Sequence, residues 1–121
     1  MSTSNHLLVV AHGSRREASN DEVRQLCTKL SELNSHYASI SSGFLELAEP
    51  SIPDGLRQLI ATGAKEITVM PYFLSAGRHV SEDIPEEIET VRQEYPEVSI
   101  KLAPYFGAAK GVPQLIIKNL I

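Results

Sequence analysis

The chain has 121 residues, enough for one domain with a real apolar core and too few for two. Hydrophobic residues make up 42% and charged residues 21%, ordinary proportions for a folded soluble protein that exclude long disorder. A formal charge of −4 without a lysine or arginine stripe argues against a nucleic-acid partner, and no apolar run approaches membrane length.

The opening Met1-Ser2-Thr3-Ser4-Asn5 is polar and lacks the basic and apolar stretches of a secretory leader, so a cytoplasmic location is expected. Residues 6–11 hold a continuous apolar run, Leu7-Leu8-Val9-Val10-Ala11, the pattern of a buried strand. His12 and the turn signal Gly13-Ser14 follow at once. An imidazole there projects from the carboxyl end of a strand, where open α/β sheets collect their ligands. A helix over 15–35 comes next, with Val23, Leu26, Cys27, Leu30 and Leu33 at three- and four-residue spacing as its core stripe. Cys27 is the chain's one cysteine; with no CxxC pair there is no thiolate metal centre, and it reads as a core thiol.

A second strand spans 39–46 and ends in Phe44-Leu45-Glu46. The next helix opens with Ser51-Ile52-Pro53-Asp54: a cap residue, proline in the first turn and a carboxylate three residues on. Ile52, Leu56, Leu59 and Ile60 form its apolar face, and Gly63 is its left-handed stop. Glu66-Ile67-Thr68-Val69-Met70 makes a third strand, cut off by Pro71 and followed by a loop over 72–78. A third helix begins near Val80 or Ser81. The acids Glu82, Asp83, Glu86 and Glu87 crowd its first turns as a solvated face matched to the helix dipole. Val98 to Leu102 is a fourth strand, and a short helix over 111–120 closes the chain.

This alternation predicts an α/β fold in three layers, a four-stranded parallel sheet with helices on both faces, as a single domain over 1–121. Runs 1 and 3 are the more continuously apolar and belong inside, whereas run 4 alternates as an edge strand does; the expected order is 2-1-3-4.

Three potential metal ligands fall on one rim of that sheet. His12 follows strand 1, Glu46 ends strand 2, and His79 lies beyond the loop after strand 3. Taken singly, a turn histidine is ordinarily a hydrogen-bonded structural residue; the shared rim is what points to a site. Two imidazoles and a carboxylate suit divalent iron, cobalt, nickel or zinc and leave coordination positions free. His6 and His36 lie away from this rim and receive no role. Met70-Pro71-Tyr72-Phe73 is echoed by Ala103-Pro104-Tyr105-Phe106, which brings aromatic rings to the same edge.

Three stretches then become specific together: residues 9–15 (Val-Val-Ala-His-Gly-Ser-Arg), 43–52 (Gly-Phe-Leu-Glu-Leu-Ala-Glu-Pro-Ser-Ile) and 69–85, which includes Ser75-Ala76-Gly77-Arg78-His79-Val80-Ser81-Glu82-Asp83-Ile84-Pro85. In their order and spacing they resemble the small sirohydrochlorin chelatases of the class II chelatase group, which insert cobalt or iron into sirohydrochlorin in cobalamin or sirohaem synthesis. The resemblance implies a chelatase-like fold and a metal chelatase (a lyase) working as a homodimer. It makes His12 and His79 the catalytic histidines and His12, Glu46 and His79 the metal ligands. It implies no cofactor beyond the divalent metal substrate, Co²⁺ or Fe²⁺, with Ni²⁺ used by related enzymes. Since sirohydrochlorin carries many carboxylates, Arg15, Arg16 and Arg78 are the candidates to bind it. Tyr72 and Phe73 are placed to pack on the macrocycle or on a partner subunit. A non-catalytic metal or tetrapyrrole carrier would use the same ligands without turnover. A histidine phosphatase would need arginine immediately before the histidine, where this chain has Ala11.

Overall fold

The computed structural model describes residues 5–34 and 36–121, with the side chain of His79 outside the described part. Four strands, β1 (Asn5–Ala11), β2 (Ser39–Phe44), β3 (Glu66–Pro71) and β4 (Ser99–Leu102), form one sheet in the order β2-β1-β3-β4. All three pairings are parallel, with Ala11 opposite Phe44 and Val10 opposite Pro71 at the carboxyl rim. The expected order is therefore the observed one. Its cause is visible in β1, where Leu8, Val9 and Val10 are fully buried. A strand with no polar face needs a neighbour on each side and cover above and below.

Helices α1 (Glu17–Leu33), α2 (Ile52–Ala61), α3 (Ile84–Glu94) and α4 (Val112–Leu120) connect or follow the strands. On one face of the sheet Leu8, Val10, Ile67, Val69 and Ile100 meet Ile52, Leu56 and Leu59 of α2 and Ile84, Ile88 and Val91 of α3 in one buried cluster. The Ser51 hydroxyl caps α2 by accepting the Asp54 N–H at 3.2 Å, and Pro53 stands in the first turn, as the sequence predicts. Arg57 ties the two helices together, donating to both carboxylate oxygens of Glu94 at 2.9 and 2.8 Å.

The opposite face is thinner. Alternation along the strands sends Val9, Ala11 and Phe44 that way. α1 lies over β2, and Cys27 is buried there. The rest of the predicted core stripe is not core: Val23, Leu26 and Leu30 are half-buried and Leu33 is 82% exposed. Its period is helical, but among the described residues no second helix stands beside α1 to cover it. α4 buries none of its residues.

Three further boundaries differ from expectation. α1 starts at Glu17 rather than 15 and ends at Leu33. β2 stops at Phe44, so Glu46 sits in a loop rather than in the strand. Helix 3 begins with a wide π-helical turn, His79–Asp83, before regular α-helix sets in at Ile84. Nor are all the acids at that end solvated. Glu87 is half-buried with one carboxylate oxygen lacking a hydrogen-bond partner, and burial, aided by nearby Asp83 and Glu86, pushes its carboxyl up.

Leu8 is a fully buried member of the main cluster, and a Cβ added at Gly43 or Gly55 would come within 3.5 or 3.4 Å of its methyl groups. Leu8→Ala is expected to cost about 2–5 kcal/mol, read as a lowered urea midpoint with an unchanged m-value.

Candidate active site

The site begins where β1 ends. Beyond Ala11 the backbone pairing with the neighbouring segment does not stop: Leu45 N–H donates to Ala11 O and Glu46 N–H to His12 O, both at 3.0 Å. Residues 45 and 46 thus run on beside 11 and 12 after regular strand has ended. Gly13 makes this possible. It has φ +97, and a Cβ built on it would lie 1.7 Å from the Glu46 carbonyl oxygen. Position 13 must lack a side chain on both counts.

The chain then turns back at Leu47, which adopts the left-handed conformation at φ 67. Phe44 N–H donates to Pro50 O at 2.9 Å and closes the loop. The outcome is that His12 Nε2 and a Glu46 carboxylate oxygen stand 2.8 Å apart, on side chains 42% and 54% exposed. The other ring nitrogen, Nδ1, lies 3.1 Å from the Gly13 carbonyl. Carbonyl and carboxylate oxygens both only accept, so the two contacts hold the ring by both of its nitrogens, and Nε2 is the one aimed at Glu46.

Two residues that sequence reasoning missed hold the loops in place. Asn20, 2% exposed on α1, uses its whole amide: Oδ1 accepts from Ser14 N–H at 2.9 Å, and Nδ2 donates to Ser14 O at 2.8 Å and to Glu17 at 2.9 Å. Arg24, one turn on, donates to Glu17 and Asp21, each at 2.8 Å, and to Glu49 O at 3.1 Å. Its guanidinium lies 5.3 Å from the centroid of the Phe44 ring. The His12 loop and the Glu46 loop are therefore both fastened to α1. The signal was present, since Asn20 and Cys27 are seven residues apart and so share a helix face.

The remaining predicted residues divide. The segment carrying His79 leaves β3 beside the end of β1, with Tyr72 N–H donating to Val10 O at 2.8 Å. The His79 side chain is outside the described part, so its convergence on His12 remains an expectation. Among the described residues no group of three His, Cys, Asp or Glu side chains gathers to hold a metal; the pair at the rim is His12 and Glu46. Arg15, Arg16 and Arg78 are exposed on the two flanking segments. Tyr72 is 39% exposed, its ring 5.9 Å from that of Phe106, whereas Phe73 packs on the edge of the main core. The two echoed motifs also interlock. Gly107 N–H donates to Phe73 O at 2.9 Å, and a Cβ at Gly107 would meet the Leu74 carbonyl oxygen at 2.0 Å.

A comparison with protein families matches the CbiX description over residues 6–121. The chain belongs to the CbiX family. Sirohydrochlorin ferrochelatase of Priestia megaterium is 31% identical over 114 residues, which are 94% of this chain and 42% of that relative. A CbiX protein of Marinobacter aquaeolei superposes with a TM-score of 0.83 at 28% identity, covering 96% of this chain and 93% of the other. The sirohydrochlorin chelatase SirB of Bacillus subtilis subspecies spizizenii, solved in complex with cobalt, gives a TM-score of 0.85 at 29% identity over 96% of this chain and 49% of that one. This CbiX chain spans about half the length of the curated relatives it matches.

Gly13→Ala is expected to cost roughly 1–3 kcal/mol from the backbone conformation alone and to part Glu46 from His12, measured by urea denaturation. A second expectation concerns pH. The hydrogen bond from Asn20 first, then that from Arg24, holds the Glu17 carboxyl below its usual range. A depressed carboxylate stabilises the fold above its unfolded pKa and loses that contribution as pH falls through the folded value. Glu17→Gln should therefore lower the denaturation midpoint at pH 7, and the gap from wild type should close on acidification below roughly pH 4.

Proposed function

We propose that this chain is a sirohydrochlorin chelatase, which places a divalent cobalt or iron ion in sirohydrochlorin and releases two protons, in the service of cobalamin or sirohaem synthesis. The observation that carries the reading is the His12–Glu46 pair, 2.8 Å apart at the carboxyl rim of a CbiX-family sheet. The names of relatives that bring both metals into view support it.

Metal insertion needs water stripped from the ion, two pyrrole N–H protons removed and the ring held so that its nitrogens reach the metal. With Nδ1 beside the Gly13 carbonyl, Nε2 is the nitrogen left to meet an incoming ion, and Glu46 offers a carboxylate oxygen next to it. Together they suit a divalent ion shedding its water. Once a pyrrole proton reaches Nε2, the same carboxylate accepts a hydrogen bond from the new N–H and balances its charge. One pair can thus serve first as ligand and then as proton acceptor. His79, which opens the turn after the loop from β3, is proposed as the second catalytic and metal-binding imidazole. Its support is its place on a segment that leaves the same rim. The exposed guanidinium groups of Arg15, Arg16 and Arg78 are proposed to pair with substrate carboxylates, and the Tyr72 ring to rest against the macrocycle, with Phe73 behind it.

The reading takes residues 1–121 as one chelatase-like domain acting in the cytoplasm as a homodimer. Its support is a CbiX relative of nearly the same length, beside SirB chains about twice as long. The buried thiol of Cys27 suits a reducing compartment, and among the described residues no helix is long and apolar enough to cross a membrane.

The deciding experiment follows the absorption spectrum of sirohydrochlorin with Co²⁺, Fe²⁺ or Ni²⁺ and a trace of protein. Turnover beyond one metal per chain supports the chelatase; tight binding of metal or tetrapyrrole without turnover would make the chain a carrier. His12→Ala and His79→Ala should each lower kcat by roughly 10²–10⁴-fold, and Glu46→Gln should act in the same direction. Arg78→Ala should raise the substrate KM more than it lowers kcat.

A further inference from the structure

Two unpartnered surfaces on this chain complement each other. The first is α4. Val112, Pro113, Ile116, Ile117, Leu120 and Ile121 spread over about half its circumference, and Leu115 adds a further edge. None of these side chains is buried, with Ile116 at 55%, Ile117 at 60% and Leu120 at 76% exposure. A helix this broadly apolar needs cover on more than one side, which a groove gives and a flat surface does not.

The second surface is such a groove. On the α1 side of the sheet the strand alternation presents Leu7 of β1, Thr68 and Met70 of β3, and Lys101 of β4, whereas Val9 between them is fully buried. α1 covers β2, so Thr68 and Met70 are only half-buried and Lys101 is exposed. The half-buried Val23 and Leu26 of α1 face this side, and with the polar Ser19, Glu22, Gln25 and Lys29 of the same helix and with Tyr72 they border a hollow of about 350 Å³ beside the strands. A parallel α/β sheet covers both faces, and this half of one face is bare.

In a βα unit the helix after β4 would fold back over that face. Here α4 does not: its main neighbour is the short 3₁₀ turn Phe106–Ala108 just before it. Ala109, Lys110 and Gly111 alone separate the two, and a short hinge favours exchange of an element between identical chains over its return to its own. A CbiX relative of about this length exists as a separate chain.

We infer that α4 is an exchanged arm: in the homodimer each copy lays its α4 in the groove beside α1 of the other, over β3 and β4. The inference rests on the pairing of two copies proposed above and is independent of the metal chemistry. It predicts reciprocal contacts, with each copy giving a helix and receiving one.

The test uses two variants of the full chain, Ile117→Cys and Lys101→Cys, one carrying a mass tag; neither position belongs to the proposed catalytic pair. They are mixed, allowed to exchange and oxidised. A disulfide joining tagged to untagged chain is the expected result, and sedimentation across a concentration series should show a dimer. Ile117→Glu, at an exposed position and so compatible with folding, should weaken self-association by about 10- to 100-fold. A monomer at every concentration would overturn both the pairing and the arm. A dimer without the cross-link would overturn the arm alone. So would Ile117→Cys joining only to its own kind.

Discussion

A backbone carbonyl fills the place where any other residue at position 13 would put its Cβ. This exclusion sets the site. Because Glu46 can close on the turn after β1, pairing runs on past the strands and brings two side chains from distant parts of the chain to hydrogen-bonding distance. Their own attraction does not hold them there, since an exposed ion pair in water is worth only ~0–1 kcal/mol. The scaffold imposes the arrangement, through main-chain bonds on one side and the full amide of Asn20 on the other. Whatever approaches the rim there meets two side chains already in position.

The two faces of the sheet do different work. The α2/α3 side is a closed apolar cluster, its helices joined by the Arg57–Glu94 pair, and most of the buried side chains lie there. The α1 side carries polar fastenings: Asn20, Glu17 and Arg24 spend their hydrogen-bonding groups on the loops of the site and on one another. Stability is thus concentrated on one face and positioning on the other.

The order of the strands was legible because burial on both sides forces unbroken apolar runs, as in Leu7 to Ala11, while an edge strand such as Ser99–Leu102 is free to alternate. His12 and Glu46 were legible for the same reason, because strand ends in a parallel sheet share a rim. The end of β2 was less so. Leu45 and Leu47 continue an alternating apolar pattern past Phe44, and Leu47 is in fact a left-handed turn residue, exposed at 53%. The stripe on α1 was read correctly as helical and wrongly as core, since periodicity reports which residues share a face and not whether anything covers it. Asn20 escaped notice although it shares a helix face with Cys27, because its partners are backbone groups of Ser14 that no residue pattern names. The π-helical entry to α3 has no residue signature that separates it from an ordinary first turn.

The interlock between the aromatic loops carries one more consequence. With Gly107 bonded to Phe73 and pressed against Leu74, the segment after β3 is clamped to the segment after β4 at its root. At its far end it runs into the turn that starts α3, where Val80 and Ser81 N–H both return to Gly77 O. Between these anchors only Ser75 and Ala76 are spared, so the stretch leading to His79 has little slack. The segment after β3 thus forms a short lip along the rim, fastened at both ends and exposed between them.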